Sequence, residues 1–140
     1  MTATSSRLVM DASAIVAMLA DVGPAGEWAT AYVTGARLAA PDLMPFEAGN
    51  ILRRHALAGI LDPSAATLAH ADLTALPLDL CPYTALAERA WALRDNLTIY
   101  DAAYVALAEL LRVPLVTLDA RLARASGPRC PIVAYEETTC

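Results

Sequence analysis

The chain has no lysine, and its ten basic residues are all arginines, at positions 7, 37, 53, 54, 89, 94, 112, 121, 124 and 129. Any chemistry that needs a lysine amine is thereby excluded. Aromatic residues make up only 6% of the sequence, so the core has to be aliphatic strands against helices rich in alanine, the commonest residue. No uninterrupted apolar run reaches the roughly 18 residues of a membrane span. The opening Met1-Thr2-Ala3-Thr4-Ser5-Ser6-Arg7 lacks the basic-then-apolar layout of an export signal. The expectation is a cytoplasmic protein with no membrane partner. Cys81, Cys130 and Cys140 are odd in number and widely spaced, which suits neither a disulfide framework nor a zinc site. They read as buried or incidental thiols. Positive charge is scarce too: a net charge of −5 and a pI near 4.8 argue against gripping nucleic acid by a general basic field.

What is present is 140 residues, 57% of them hydrophobic, enough for one globular domain spanning 1–140 with a core of its own. Arg7-Leu8-Val9-Met10 reads as a strand ending at Asp11, followed by a short helix from Ser13 to Leu19 that either Asp11 or Ser13 can cap. After Gly23-Pro24, residues Glu27 to Ala36 read as a helix, and Leu38-Ala39-Ala40 as a weak strand. Asp42 and Pro45 mark the start of a helix that runs to about Ala58 and stops at Gly59. Asp62-Pro63 caps a helix from Ser64 to Ala75. Leu78 to Cys81 alternates like a half-exposed strand, Tyr83 to Arg94 and Thr98 to Leu111 read as helices, and Pro114 to Leu118 as a strand ending at Asp119. A short helix to Ala125 and a last strand, Ile132 to Ala134, close the pattern. Strands alternating with helices imply an α/β fold: a mainly parallel, twisted sheet of about five short strands, covered on both faces.

Four acids stand where an apolar run ends or a helix begins: Asp11, Glu47, Asp101 and Asp119. Each has an ordinary explanation. Asp11 and Asp119 are good helix caps, Thr98-x-x-Asp101 has the form of a capping box, and a first-turn Glu47 is favoured by the helix dipole. Capping does not exclude a site, because a strand-end aspartate that caps a helix also faces the ligand side of a parallel sheet. At ~5 Å and an effective dielectric near 20, each ionised pair would repel by about 3 kcal/mol. Mg²⁺ or Mn²⁺, which prefer oxygen ligands, would remove that penalty, and Mg²⁺ keeps waters able to attack a phosphodiester. Ser13 lies two residues beyond Asp11, Asn50 one helical turn after Glu47, and Thr117 on the same strand face as Asp119. These three are candidate supporting groups. His55 and His70 are isolated, and neither is assigned a catalytic or metal role.

Val9-Met10-Asp11-Ala12-Ser13-Ala14, Pro41 through Glu47 to Asn50 and Arg53, Tyr100 to Ala108, and Leu115-Val116-Thr117-Leu118-Asp119 together resemble the PIN-domain ribonucleases, specifically the VapC toxins of toxin-antitoxin modules. The resemblance spans nearly the whole chain in four ordered pieces. It implies a PIN-like three-layer α/β/α sandwich, a Mg²⁺- or Mn²⁺-dependent endoribonuclease, RNA as substrate and restraint by a cognate antitoxin. Carried over residue by residue, it makes Asp11, Glu47, Asp101 and Asp119 the catalytic and metal-binding acids, with Ser13 and Asn50 at polar positions beside them. Leu122 departs from the phenylalanine of many relatives, a matter of packing rather than chemistry. Arg53, Arg54, Arg121 and Arg124 flank the expected pocket in sequence and are candidates to meet RNA phosphates. Trp28, Tyr32, Leu57, Ile60 and Leu61 are candidates for an apolar groove that takes an antitoxin helix or the second copy of a homodimer.

Competing readings fare unevenly. A response-regulator receiver also gathers strand-end aspartates but works with a lysine, which is missing. A haloacid-dehalogenase-type phosphatase wants a second aspartate two residues after the first, where Ser13 stands. The alternative that remains is a catalytically inactive PIN-fold protein serving as a binding or interaction module, its acids acting only as caps.

Overall fold

The computed structural model describes residues 6–137. The reading of Cys140 as an incidental thiol, and the segment before Ser6, lie outside the described residues. β1 (Ser6–Met10) enters the protein from solvent, its first two residues exposed and its last three buried, so it needs the unbroken apolar run Leu8-Val9-Met10. α1 (Ala12–Ala20) follows after the single residue Asp11. α2 (Pro24–Val33) begins at the proline rather than at Glu27, because proline at the first helical position has no N–H to leave unpaired. It packs against α1 so closely that a Cβ on Gly26 would stand 1.7 Å from the Asp21 carbonyl oxygen.

β2 (Ala36–Pro41) is twice the length of the expected Leu38–Ala40 strand. Alanine is a poor strand former in isolation, and the extra residues are held by pairing on both sides, to β1 and to β3 (Leu78–Cys81). α3 (Met44–Leu57) and α4 (Pro63–Ala75) intervene, the first ending before Gly59 at φ +74 and the second capped by the Asp62 carboxylate on the Ser64 N–H.

The helix expected over Tyr83–Arg94 is broken. A 3₁₀ turn (Tyr83–Ala85) follows Pro82, Leu86 joins it to the next helix at φ −111, and only α5 (Ala87–Ala92) is α-helical. Its end is set by Arg94, which donates to the Trp91 carbonyl at 2.9 Å and lies over the Trp91 ring at 4.6 Å. Leu86, Ala90 and Leu93 nevertheless form a buried stripe at helical spacing.

α6 (Ile99–Leu111) buries every residue from Ala102 to Ala108. Four alanines in that stretch let it lie close on β1, β2 and β4 (Leu115–Thr117). Arg112 ends it in the left-handed region at φ 58, its N–H returning to the Ala108 and Glu109 carbonyls. α7 (Ala120–Arg124) and β5 (Ile132–Ala134) complete the order.

All five strands are parallel, in the order β3-β2-β1-β4-β5. The chain therefore moves outward one way through β2 and β3, then returns to the other side of β1 for β4 and β5. Helices cover both faces, α6 with α5 on one and α1, α3 and α4 packed together on the other, giving the α/β/α sandwich. The reversal between β1 and β4 opens a crevice at the carboxyl ends of the strands, where open parallel sheets present their ligand sites. No helix among the described residues is long and apolar enough to cross a membrane.

Candidate active site

Asp11 follows the last residue of β1 and is 7% exposed. Its Oδ1 accepts the Ala14 N–H at 3.0 Å, the N-cap bond of α1, and the Ser13 hydroxyl at 2.6 Å. Its Oδ2 accepts the hydroxyl of Thr117, which is fully buried on β4. Of the two candidates Asp11 is thus the cap, and Ser13 instead bridges: it donates to Asp11 and accepts the Leu118 N–H at 3.1 Å. Thr117 in turn accepts the Asp119 N–H at 3.0 Å. The turns after β1 and β4 are tied into one unit.

The other acids also sit at helix amino ends, where the helix dipole favours negative charge. Asp119 caps α7 through the Arg121 N–H at 2.9 Å, with the Arg121 guanidinium 3.4 Å from the same oxygen. Asp101 is half-buried in the first turn of α6, its N–H donating to the Thr98 hydroxyl at 3.1 Å, which is the N-cap half of the expected capping box. Glu47 is half-buried in the first turn of α3 and accepts the Tyr104 hydroxyl at 2.7 Å. Tyr104 is 2% exposed and spans from α6 to α3. It lies inside the Tyr100–Ala108 motif, but a contact 57 residues distant in sequence leaves no local signal of its role.

The electrostatics connect all four acids. Burial pushes the Asp11 carboxyl above its ordinary range, against the pull of its Ser13, Thr117 and Ala14 hydrogen bonds, and the charge of Asp101 adds to the rise. Glu47 is raised by burial and by the charges of Asp101 and Asp11, and lowered by its bond from Tyr104. Asp101 is raised by burial and then by Asp119, with Thr98 and Arg121 opposing. The Tyr104 phenol is pushed well up, first by burial and then by its bond to Glu47, so it stays a donor.

The donor set is oxygen only, which suits a hard divalent cation. Among the described residues no three histidine, cysteine or acidic side chains stand close enough to close a metal cage as they lie. The fit is one of donor chemistry: Mg²⁺ takes one or two carboxylates and lets water complete its octahedron. The residues fit the ion.

The remaining candidates separate. Asn50 is exposed one turn beyond Glu47, and no hydrogen bond among those of the described residues joins it to the acids. Arg53 lies over a surface depression with His70 and Thr67 beside α4. Arg54 instead edges a groove of about 550 Å³ that begins at Ser13 and Leu118 and runs over Val16, Ile51, Ile60 and Leu61. Trp28 and Tyr32, expected in such a groove, stack with each other and, through Trp28, with Tyr135.

The sequence pattern of the family described as the PIN domain matches residues 8–128, which contain the sheet crevice and all four acids. The chain belongs to the PIN-domain family, on its VapC branch. This PIN domain is 41% identical over 128 residues to Ribonuclease VapC1 of Mycobacterium tuberculosis, covering 89% of this chain and 94% of that one. It is 38% identical over 125 residues to Ribonuclease VapC9 of the same species, covering 89% and 95%. Among solved structures it is similar to PAE2754 from Pyrobaculum aerophilum, with a TM-score of 0.65 at 25% identity over 93% of this chain and 85% of the other.

Proposed function

We propose that this PIN domain is an endoribonuclease toxin that hydrolyses RNA phosphodiester bonds with the help of Mg²⁺ or Mn²⁺. What supports the reading is that Asp11, Glu47, Asp101 and Asp119 all stand at helix amino ends, Asp11 and Asp119 directly after β1 and β4, and that the charge of Asp101 acts on both Asp11 and Glu47. The relatives at 38% and 41% identity carry the name ribonuclease, which supports it.

Asp11, Asp101 and Asp119 would hold the cation, with Glu47 as a further ligand or as the base that orients water. When bound, the ion supplies a more acidic water and positive charge for the phosphorus oxygens and the leaving 3′-oxygen. The chain's own residues do the positioning. Thr117 and Ser13 fix both oxygens of Asp11. Tyr104 aims the Glu47 carboxylate and keeps its charge accessible by lowering its proton affinity. Arg121, exposed beside Asp119, is a candidate to meet a phosphate.

Asp11→Asn tests the reading. Asn keeps an acceptor for the Ala14 N–H and the fold with it, while removing the charge. We expect cleavage of single-stranded RNA in Mg²⁺ or Mn²⁺ to be lost with the thermal midpoint nearly unchanged; cleavage at the wild-type rate refutes the assignment. The caps-only reading has its own support, since Asp11 and Asp119 do cap helices. In that reading Mn²⁺ titrated into the wild-type protein evolves no saturable heat. Restraint by an antitoxin, pairing with a second copy and residence in the cytoplasm belong to the same proposal. The groove beginning at Ser13 offers an apolar floor for an antitoxin helix, with the exposed Val22 and Ile60 in its lining.

A further inference from the structure

Two of the chain's acids are gripped by arginine, and a third is only touched by it. Asp79 is forked by Arg37 at 2.9 and 3.1 Å and met by Arg7 at 3.0 Å. Glu109 is forked by Arg89 at 2.6 and 3.2 Å, in a pair largely withdrawn from water. Both grips are bidentate, the geometry that locks a guanidinium to a carboxylate. Arg121 meets Asp119 through Nε alone, at 3.4 Å, with its side chain 87% exposed. A single, long contact in water holds little. Leu122, not Arg121, carries the burial of α7. The contact also takes one oxygen only: Oδ1 of Asp119 accepts the Arg121 N–H at 2.9 Å and faces its guanidinium, whereas Oδ2 accepts none of the hydrogen bonds among the described residues.

The charge of Arg121 reaches further than its contact. Asp101, on α6, is raised by Asp119 and eased by Arg121, whereas the charges acting on Asp11 and Glu47 are those of other acids. One guanidinium thus offsets the repulsion between the acids of α6 and α7, and it is held loosely enough to leave. We propose that Arg121 is the displaceable counter-cation of this cluster, competing with a divalent cation for Asp119 and so setting how much Mg²⁺ or Mn²⁺ the protein needs. The inference rests on the metal-dependent reading of the site and deepens it by naming what opposes the cation. Two positive groups drawn to one carboxylate repel each other, so what one gains the other loses. A forked pair such as that of Asp79 would resist the exchange; the single contact at 3.4 Å does not. The capping bond from the Arg121 N–H is untouched by it, so α7 keeps its place while the side chain turns to solvent.

Calorimetric titration of Mn²⁺ into the full chain at low ionic strength is the test. Arg121→Ala should tighten Mn²⁺ binding by about 2- to 5-fold, the worth of an exposed ion pair, with the thermal midpoint in chelator nearly unchanged. Arg121→Lys keeps the charge and should stay near the wild type. Arg124→Ala removes the same unit of charge one turn further along α7 and should leave the affinity as it was. High salt should erase the difference between the wild type and Arg121→Ala. Saturable binding of equal strength in those two forms overturns the inference and leaves the metal-dependent reading standing. Equal tightening by Arg124→Ala overturns it as well, because the cause is then the general field of the chain. Weaker binding in Arg121→Ala does the same, by making the arginine a support for Asp119 rather than a rival to the ion. No saturable heat in any form sinks the metal-dependent reading and the inference with it.

Discussion

Removing one oxygen atom, by Tyr104→Phe, isolates the contact between α6 and α3. The phenol donates to Glu47 at 2.7 Å, and the ring is almost wholly buried, so the variant opens no cavity. A hydrogen bond to a charged group contributes about 1.5–3 kcal/mol, and the half-buried Glu47 can recover part of that from water. The net loss should be about 1–2 kcal/mol, a fall in thermal midpoint of about 3–8 °C for a chain of this size. Activity should report the same loss differently. The bond lowers the proton affinity of Glu47, whose proton is already held by burial and by Asp101 and Asp11. Without it the carboxylate is protonated at higher pH, and the acid limb of the cleavage profile moves upward in pH. Calorimetric unfolding and a pH-rate series measured together check both. If the midpoint and the acid limb both stay where they are in the wild type, Tyr104 does not position Glu47.

Further outcomes follow from the same geometry. Thr117→Val removes the donor to Asp11 and the acceptor for the Asp119 N–H, and should weaken Mn²⁺ binding by about 10–100-fold in a calorimetric titration; unchanged affinity would detach Thr117 from the site. In chelator, the raised carboxyls of Asp11, Glu47 and Asp101 make the folded state bind more protons than the unfolded one. Their contribution is full below the unfolded values of 3.8 and 4.5 and is lost as pH rises through the folded ones, so the denaturation midpoint should decline toward neutral pH and recover with Mn²⁺. Asp79 and Glu109, held low by Arg37 and Arg89, act with the opposite sign and only at more acid pH. Gly26→Ala drives a Cβ into the Asp21 backbone and should cost about 3 kcal/mol or more by urea unfolding; a neutral result would mean that α1 and α2 can part.

The strands and the places of the acids were legible because both depend on short-range pattern. Leu8-Val9-Met10 before Asp11 and Leu115-Val116-Thr117 before Asp119 are apolar runs ended by a polar residue, whatever surrounds them. Thr98 and Asp62 announce their helices by capping chemistry alone. What escaped depends on partners far along the chain. The alanines of β2 become strand through β1 and β3, Tyr104 finds Glu47, and Ser13 takes up the Leu118 N–H across 105 residues. Arg53 and Arg54, adjacent in sequence, diverge because successive helical residues point about 100° apart.

Thr117 meets Asp11 across 106 residues, and β1 has no neighbour on that side until β4 has been made. The contacts that join the two sides of the crevice are therefore non-local, so the pairing of Asp11 with Thr117 should form late in folding, after the helices that depend on neighbouring residues alone.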